Sequence, residues 1–516
     1  MLAASPKPDA VIGDSIFVQR LHLADLAIVV GYNLAVLALG IGFFRRIGSS
    51  DRFITAGRSL PGWAVGMSIF GSYVSSISFL ANPGKAFDGN WNSCVLAFAM
   101  PLAALVAVRW FVPWYRASGD VSAYEHLERR FGPWARSYAV VCFLLVQIAR
   151  LATILYLLAL ALEPLLGWDV RAIIVLAGLL ITIYPLLGGT EGMVWVGVVQ
   201  SVVLLAGTAA CLLMLLVRMP EGPAQIVQIA TENHKFSLGS FGTSVSDSTF
   251  WVVLFYGLVT HLQNFGIDQS YVQRYITARS DRDAARSVWI GTFMFIPVSV
   301  AFFFMGTGLF AFYHALPQRL PEALAERPDA VFPHFIATEL PVGLTGLVIA
   351  AICAASMDAN LNYCATLFLC DVYQRYFRRR AGERESLWVL RAATLAIGAA
   401  STIAALAMLR VSTVLDAWWQ LAGIASGGIL GLFLLGFLRR RVGNASALVG
   451  VVTGVTVILW MTFSPKWTGR WEPLRSPFHH LLVLVIGTAT VLVVGAVSSL
   501  LFRPGDGARR DGDPSH

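Results

Sequence analysis

Charge is scarce in this sequence, since only 13% of its 516 residues are Asp, Glu, Lys or Arg. Soluble proteins average about 25% charged residues, whereas 57% of this chain is hydrophobic. Uncharged runs long enough to cross a bilayer recur along the whole length, which predicts a helical integral membrane protein. The alternation of polar and apolar residues that is typical of membrane barrel strands is absent.

Other absences exclude further classes of protein. The six cysteines show neither metal-ligand spacing nor a disulfide framework, and no nucleophile–base pair or metal cluster indicates an enzyme. The net charge of +8 comes from basic residues in short loops, which argues against a nucleic-acid partner. The longest loops, about 218–248 and 314–337, leave no room for a soluble domain. The first apolar run, about 23–44, is too long for a signal-peptide core and predicts a retained helix.

The apolar runs predict thirteen membrane spans. Their approximate bounds are 23–44, 62–84, 92–113, 137–166, 171–187, 191–217, 249–271, 288–313, 338–373, 387–409, 414–438, 444–463 and 479–502. With the N-terminus outside and the C-terminus inside, most of the 38 Lys and Arg residues fall in inner loops, Arg274 among them.

Two spans carry signs of interruption. The second is dense in Gly and Ser and has Asn82-Pro83-Gly84 near its end. It is either a tightly packed helix or one that unwinds and offers backbone carbonyls to an ion. The segment 255–269 is again polar and interrupted. Interrupted spans at corresponding positions of two halves are typical of inverted-repeat transporters, so spans two to six and seven to eleven are predicted to form two five-helix repeats.

Four segments carry a family resemblance. They are FITAGRSLP (53–61), GGTEGMVWVGVVQ (188–200), QSYVQRYITARS (269–280) and NYCATLFLCDVY (362–373). Their order and spacing resemble the sodium:solute symporter family, whose members carry sugars, proline, sialic acid, pantothenate or monocarboxylates with sodium. The resemblance implies an all-α membrane protein with the LeuT-type fold of inverted five-helix repeats and alternating access.

The apolar runs and the family resemblance together predict how the chain is organised. Its parts are an extracytoplasmic tail (1–22), an additional first helix (23–44), two repeats (62–217 and 249–438), two additional C-terminal helices (444–502) and a disordered cytoplasmic tail (503–516).

The resemblance also implies a main Na⁺ site. Its carbonyl ligands fall on Gly71, Val74 and Ile352, and its two hydroxyl positions fall on Ala355 and Ser356. Only Ser356 keeps an oxygen, so the site has lost one usual ligand.

A further Na⁺ site of some family members uses an aspartate on the sixth span, which is Gly197 here. The matching hydroxyl positions are Asp358 and Ala359. A carboxylate near the bilayer centre is costly unless something pairs with it. Asp358 is therefore expected to hold a second Na⁺ or a proton, or else to pair structurally with Asn362 or Arg150.

The substrate cavity is expected beside both interruptions. The candidate substrate residues are Ser75, Ser78, Arg150, His261, Gln263, Asn264, Phe265, Trp419 and Gln420. His261 matches a sugar-contacting position, although a lone buried histidine also serves as a core residue. Arg150 lies away from both ends of its span, and a guanidinium matches a carboxylate bidentately. A similarly placed arginine binds the carboxylate in sialic acid carriers, and a structural pairing is the alternative.

The sequence therefore predicts a Na⁺-coupled symporter that imports a small organic solute, with sialic acid or another sugar acid favoured. A neutral sugar or an amino acid is the alternative substrate, and a membrane sensor or a channel is a more distant alternative function. The expected partners are the small-molecule substrate and the lipid bilayer, with no nucleic acid and no obligate protein partner. The expected location is the cell membrane, as a multi-pass protein of a bacterial inner membrane.

Overall fold

Helices form the fold throughout the part of the chain that the structure, a computed structural model, describes. That part comprises residues 21–44, 49–325, 328–356, 360–409, 414–437 and 442–501. No strand occurs in these ranges, and one isolated parallel bridge joins Leu60 to Ala278. Helices prevail because an apolar segment in lipid must satisfy its own backbone hydrogen bonds.

The helices up to the middle of the chain are α1 (Leu23–Phe44), α2 (Ser50–Thr55), α3 (Gly62–Tyr73), α4 (Ser76–Asp88), α5 (Val95–Phe98), α6 (Met100–Val106), α7 (Val112–Ser118), α8 (Glu125–Phe131), α9 (Pro133–Leu166), α10 (Val170–Arg218) and α11 (Ala224–Glu232). Short 3₁₀ turns at Ala56–Arg58 and Trp91–Cys94, and a π-helical turn at Ala107–Phe111, connect some of them.

The later helices are α12 (Phe250–Ile267), α13 (Gln269–Thr277), α14 (Asp281–Ala315), α15 (Glu322–Ala325), α16 (Pro328–Glu339), α17 (Leu344–Ser356), α18 (Asn360–Leu367), α19 (Glu383–Met408), α20 (Val414–Phe437), α21 (Asn444–Phe463) and α22 (Leu482–Leu501). A π-helical stretch, Phe368–Phe377, continues α18, and 3₁₀ turns occur at Pro317–Arg319, Ser464–Lys466 and Gly469–Leu474.

Ten helices in the described ranges are long and apolar enough to cross a membrane, and the bent pair of α3 and α4 makes eleven. Two shorter apolar helices, Val170–Ile183 and Ser426–Phe437, lie within the remaining two predicted spans. The chain is thus a multi-pass helical membrane protein. The count of thirteen crossings and the orientation of the termini stay predictions.

One pair of predicted spans, 171–187 and 191–217, forms a single helical run, α10. The run is bent at Gly189, whose backbone angles (φ 52°, ψ −162°) leave the helical region. A residue with a side chain rarely adopts a positive φ, so glycine is suited to this bend. The boundary between the two predicted spans is therefore a kink and not a loop.

The packing of α3 determines where the functional residues meet. This helix packs against α10 on one side and α14 on the other, and α17 also packs against α10. The end of α3 and the end of α17 consequently lie beside the second half of α10, in the buried core of the protein.

Candidate functional site

The first interruption lies between α3 and α4. Val74 (φ −94°, ψ 95°) and Ser75 (φ −94°, ψ 169°) are extended, and the two helices are bent by 51° at this point. The last carbonyls of a helix have no donor within that helix. The second predicted span is therefore unwound in its interior, and it presents backbone oxygens there.

The second interruption lies at Asp268, between α12 and α13. The predicted segment 255–269 is helical as far as Ile267, so the interruption falls at its end. The Oδ1 atom of Asp268 accepts a hydrogen bond from the backbone N–H of Ser270 at 2.8 Å and caps α13. The α13 side of this break is therefore capped by the carboxylate of Asp268.

Two of the predicted Na⁺ ligands line a cavity between α3 and α17. Gly71 and Val74, from the end of α3, line it together with Ala355 of α17. Ile352 and Ser356 are fully buried on α17, and the Ser356 hydroxyl donates to the Ile352 carbonyl at 2.8 Å. Residues of α3 and α17 therefore meet at this cavity, and their role as Na⁺ ligands stays a prediction.

The cavity is small and polar. The volume that the centre of a water molecule can occupy in it is about 10 Å³. This is close to the volume needed to hold one water molecule or one ion. Its walls are formed by Ser68, Gly71, Ser72, Val74, Ser75, Met193, Gly197, Gln200, Arg274 and Ala355. Two serine hydroxyls of α3, the hydroxyl of Ser75 at the interruption and a guanidinium group thus lie beside the candidate carbonyls.

Arg274 is a residue whose position the sequence analysis got wrong. It was assigned to an inner loop, but it lies on α13 with only 1% of its surface exposed. Its Nε donates to the Ser68 hydroxyl at 3.2 Å, its Nη1 donates to the Ser270 carbonyl at 3.1 Å, and its Nη2 donates to the Ser72 hydroxyl. An arginine next to an apolar span looks the same in sequence whether it faces water or the core.

Gly197 is a point of close contact between α10 and α3. A Cβ atom at this position would lie 2.7 Å from the Ser68 Oγ and 3.1 Å from the Ser68 Cα. The hydroxyl of Ser201, one turn along α10, donates at 2.8 Å to both the Met67 and the Gly197 carbonyls. Because the helices touch here, the position lacks both a carboxylate and the space for one.

Arg150 reaches the first interruption from α9. Its Nη2 donates to the backbone carbonyl of Ser72 at 3.3 Å. Two guanidinium groups therefore converge on Ser72, since Arg274 contacts its hydroxyl. This contact places the Arg150 guanidinium at the last turn of α3, on a residue that lines the cavity.

His261 and Phe265 face the first interruption from α12, one turn apart. Both are buried in an aromatic cluster, with ring centroids 5.6 Å and 5.8 Å from that of Tyr73. The Nε2 of His261 lies 3.2 Å from the Leu96 carbonyl. Its Nδ1 is buried with no hydrogen-bond partner among the described residues. This arrangement is that of a core histidine at least as much as that of a substrate ligand.

For the other substrate candidates the structure gives burial and few contacts. Ser78 and Asn264 are partly buried, and Gln263 has a buried Oε1 with no hydrogen-bond partner among the described residues. The backbone of Trp419 and Gln420 belongs to α20, but their side chains lie outside the described part. Asp358, the predicted cation ligand, and Ala359 also lie outside the described residues.

A second buried polar cluster, which the sequence analysis did not identify as functional, joins α13 to the surrounding helices. Gln269 donates to the Val121 carbonyl at 2.8 Å and accepts from the Ala123 N–H at 2.8 Å. The Nε2 of Gln273 contacts the Ile54 carbonyl at 2.9 Å and the Thr190 hydroxyl at 3.0 Å. We call Gln269 and Gln273 the α13 glutamine pair. Their four-residue spacing on one helix face was the available signal.

Comparisons with known proteins agree with this architecture. Residues 53–454 match the model of the sodium:solute symporter family. The sodium/sialic acid symporter SiaT of Proteus mirabilis is 32% identical over 93% of this chain and 95% of its own length. The sodium/sialic acid symporter NanT of Aliivibrio fischeri is 33% identical over 92% of each. The human sodium-coupled monocarboxylate transporter 1 is 28% identical over 85% of this chain.

Solved structures give the same result. A Na⁺-coupled sialic acid symporter in a substrate-bound, outward-open state, described as revealing a novel Na⁺ site, superposes with a TM-score of 0.87. It is 30% identical and covers 94% of this chain. A nucleobase-cation-symport-1 family transporter, at 15% identity and a TM-score of 0.53, shares the fold. The match of the family model over most of the chain decides the assignment: this protein belongs to the sodium:solute symporter family.

Proposed function

We propose that this symporter imports a carboxylate-bearing sugar acid, such as sialic acid, together with Na⁺. The family and its relatives are transporters and not enzymes. The observation that carries the substrate class is Arg150, whose guanidinium donates to the Ser72 carbonyl at the first interruption. A guanidinium in the membrane interior requires an anion or carbonyl groups near it, and a carboxylate is its best geometric match.

The proposed Na⁺ site uses four oxygens. They are the carbonyls of Gly71, Val74 and Ile352 and the hydroxyl of Ser356. Na⁺ is a hard cation that favours oxygen ligands, and unwound helix carbonyls supply them in transporters of this kind. The negative end of the α3 dipole adds to the attraction. Asp358 remains a candidate ligand for this or a further cation, or a site of protonation.

The proposed orientation places the N-terminus outside and the C-terminus inside. The thirteen spans then comprise two five-helix repeats, 62–217 and 249–438, flanked by the additional helices. In this orientation the α13 glutamine pair lies on the inner side of the membrane, near the ion pair between Arg136 and Asp371. Opening of the inner side would then require Gln269 and Gln273 to leave their partners.

A bacterial inner membrane is consistent with the sialic acid symporters of Proteus mirabilis and Aliivibrio fischeri. The transport unit is proposed to be the single chain in a lipid bilayer, with no obligate protein partner and no nucleic acid.

A thermal-shift screen of the purified protein tests the substrate class. We expect sialic acid to raise the melting temperature in NaCl and to have little effect in KCl, because a ligand stabilises the state that it binds. Glucose and proline, a neutral sugar and an amino acid, are the comparison ligands. Stabilisation by one of these, with none by sialic acid, would contradict the proposal.

A further inference from the structure

Residues 375–384 concentrate positive charge at one end of α19. They comprise the end of the π-helical stretch, a short connection and the first residues of α19, and they include Arg375, Arg378, Arg379, Arg380 and Arg384. Arg375 contacts the Glu128 carboxylate, and Arg378 pairs with Glu385 at 3.1 Å. Among the described residues no carboxylate pairs with the other three arginines.

The three arginines without a carboxylate partner, Arg379, Arg380 and Arg384, are all exposed. Glu383 is the acidic residue next to them in sequence. Its carboxylate accepts hydrogen bonds from the backbone N–H and the hydroxyl of Ser50 at 2.7 Å and 2.8 Å. It is therefore engaged with α2, and the described part of the chain leaves three guanidinium charges to be balanced from outside the protein.

Large exposed aromatic side chains flank these arginines. Phe377 precedes them and is 74% exposed, and Trp388 follows them and is 72% exposed. Trp388 lies four residues after Arg384 on α19, so the two side chains share one face of the helix. Leu395, seven residues further and also exposed, continues that face into the apolar part of α19. The arginines therefore lie where a lipid-facing helix surface reaches the level of the headgroups, which is where Trp is enriched.

Phosphate is the anion that fits this surface. A guanidinium binds phosphate oxygens bidentately, and clusters of four to eight basic residues beside a membrane helix are typical of sites for anionic lipids. The adjoining exposed aromatic rings and Leu395 would contact the glycerol and acyl portion of a lipid, which a free anion lacks.

We propose that Phe377, Arg379, Arg380, Arg384 and Trp388 form a binding site for the headgroup of an anionic phospholipid, such as phosphatidylglycerol. The orientation proposed above places this site in the inner leaflet. The site lies at the end of α19, away from the cavity between α3 and α17, and it does not depend on the identity of the transported solute.

Titration of the purified full-length protein in neutral detergent tests the site without any transport. The probe is dioctanoyl phosphatidylglycerol, and dioctanoyl phosphatidylcholine is the comparison lipid. Each basic residue near an anionic surface contributes about fivefold in affinity, so we expect phosphatidylglycerol to bind at least about tenfold more tightly. Equal affinity for the two lipids would overturn the inference and leave the proposed symport intact.

Inorganic phosphate separates a lipid site from a site for a free anion. At the same concentration as the lipid it should leave the binding of phosphatidylglycerol unchanged, because it makes no contact with the aromatic side chains. Displacement of the lipid by an equal concentration of inorganic phosphate would overturn the assignment to a phospholipid.

A triple variant removes the three charges together. In Arg379→Gln/Arg380→Gln/Arg384→Gln the affinity for phosphatidylglycerol should fall to within about twofold of that for phosphatidylcholine, since the charge term is lost. A preference for phosphatidylglycerol that survives in this variant would overturn the inference. All three side chains are exposed, so the melting temperature without lipid should stay close to that of the parent.

The matched control removes the same charge from the predicted outer side. Arg171, Lys466 and Arg470 are exposed there, so Arg171→Gln/Lys466→Gln/Arg470→Gln lowers the net charge equally. This variant should keep the tenfold preference of the parent for phosphatidylglycerol. Equal loss of preference in the two triple variants would show an effect of net charge alone and would overturn the site.

Discussion

The two interruptions look alike in sequence and differ in chemistry. At the first, around Val74 and Ser75, α4 begins without a side-chain cap, while Arg150 donates to the Ser72 carbonyl and Arg274 donates to the Ser72 hydroxyl. The second, at Asp268, is capped by its own carboxylate. The Asp268 carboxylate satisfies N–H groups at the start of α13, whereas the last carbonyls of α3 can accept from an ion or a ligand. We infer that the first break binds the ion and substrate and that the second break positions α13.

The largest effect is expected at Arg150. Arg150→Ala should weaken sialic acid binding by roughly 30-fold or more, because loss of one partner of a buried charge pair costs about 2–5 kcal/mol. The measurement is calorimetric titration with sialic acid in NaCl, beside ²²Na⁺ binding to the same variant. If sialic acid affinity survives, Arg150 is only a structural partner of the Ser72 carbonyl.

A smaller effect is expected at Ser356. Ser356→Ala removes one of four proposed oxygens, and a hydrogen-bonding oxygen to a charged group is worth about 1.5–3 kcal/mol, or roughly tenfold or more in Na⁺ affinity. Ser401 offers a matched control on α19: its hydroxyl donates to the Ile397 carbonyl at 2.9 Å, as Ser356 does to Ile352 at 2.8 Å. Equal losses of Na⁺ affinity in Ser356→Ala and Ser401→Ala would show a general packing effect instead of a lost ligand.

The smallest effect on ligand binding is expected at Asp268. Asp268→Ala removes the cap of α13, which costs about 0.5–2 kcal/mol of stability, and Asp268→Asn should recover most of it because Asn also caps helices. Melting temperature should therefore fall in the first variant more than in the second. Na⁺ affinity should stay within about twofold in both, since a cap acts locally. A large loss of Na⁺ affinity in Asp268→Asn would place the cation at the second break and reverse the comparison.

Much of the fold could be predicted from the sequence, because apolar length and loop charge follow from the cost of placing polar groups in lipid. Ten long apolar helices and the bent pair of α3 and α4 fall on eleven of the predicted spans, and the four motifs identified the family correctly. The bend at Gly189 was not foreseen, since Gly188-Gly189 between two apolar runs resembles a short loop.

The site was predicted less completely. The first interruption and the approach of α17 to it followed from glycine, serine and the family resemblance. Arg274 was missed because α13 is a short polar helix that the fold nevertheless buries along its whole length. Gly197 was interpreted as a lost ligand, and the structure adds that it is also a contact that α3 requires. Burial of a polar helix depends on all its neighbours, which local sequence does not specify.

Transport itself tests the central claim most directly. Purified protein in proteoliposomes should accumulate radiolabelled sialic acid above its external concentration when an inward Na⁺ gradient is imposed. An equal K⁺ gradient should produce only equilibration, and Ser356→Ala should require more Na⁺ for the same rate. Accumulation that is equal in Na⁺ and K⁺, or an absence of sialic acid uptake under a Na⁺ gradient, would contradict Na⁺-coupled import of a sugar acid through the first break.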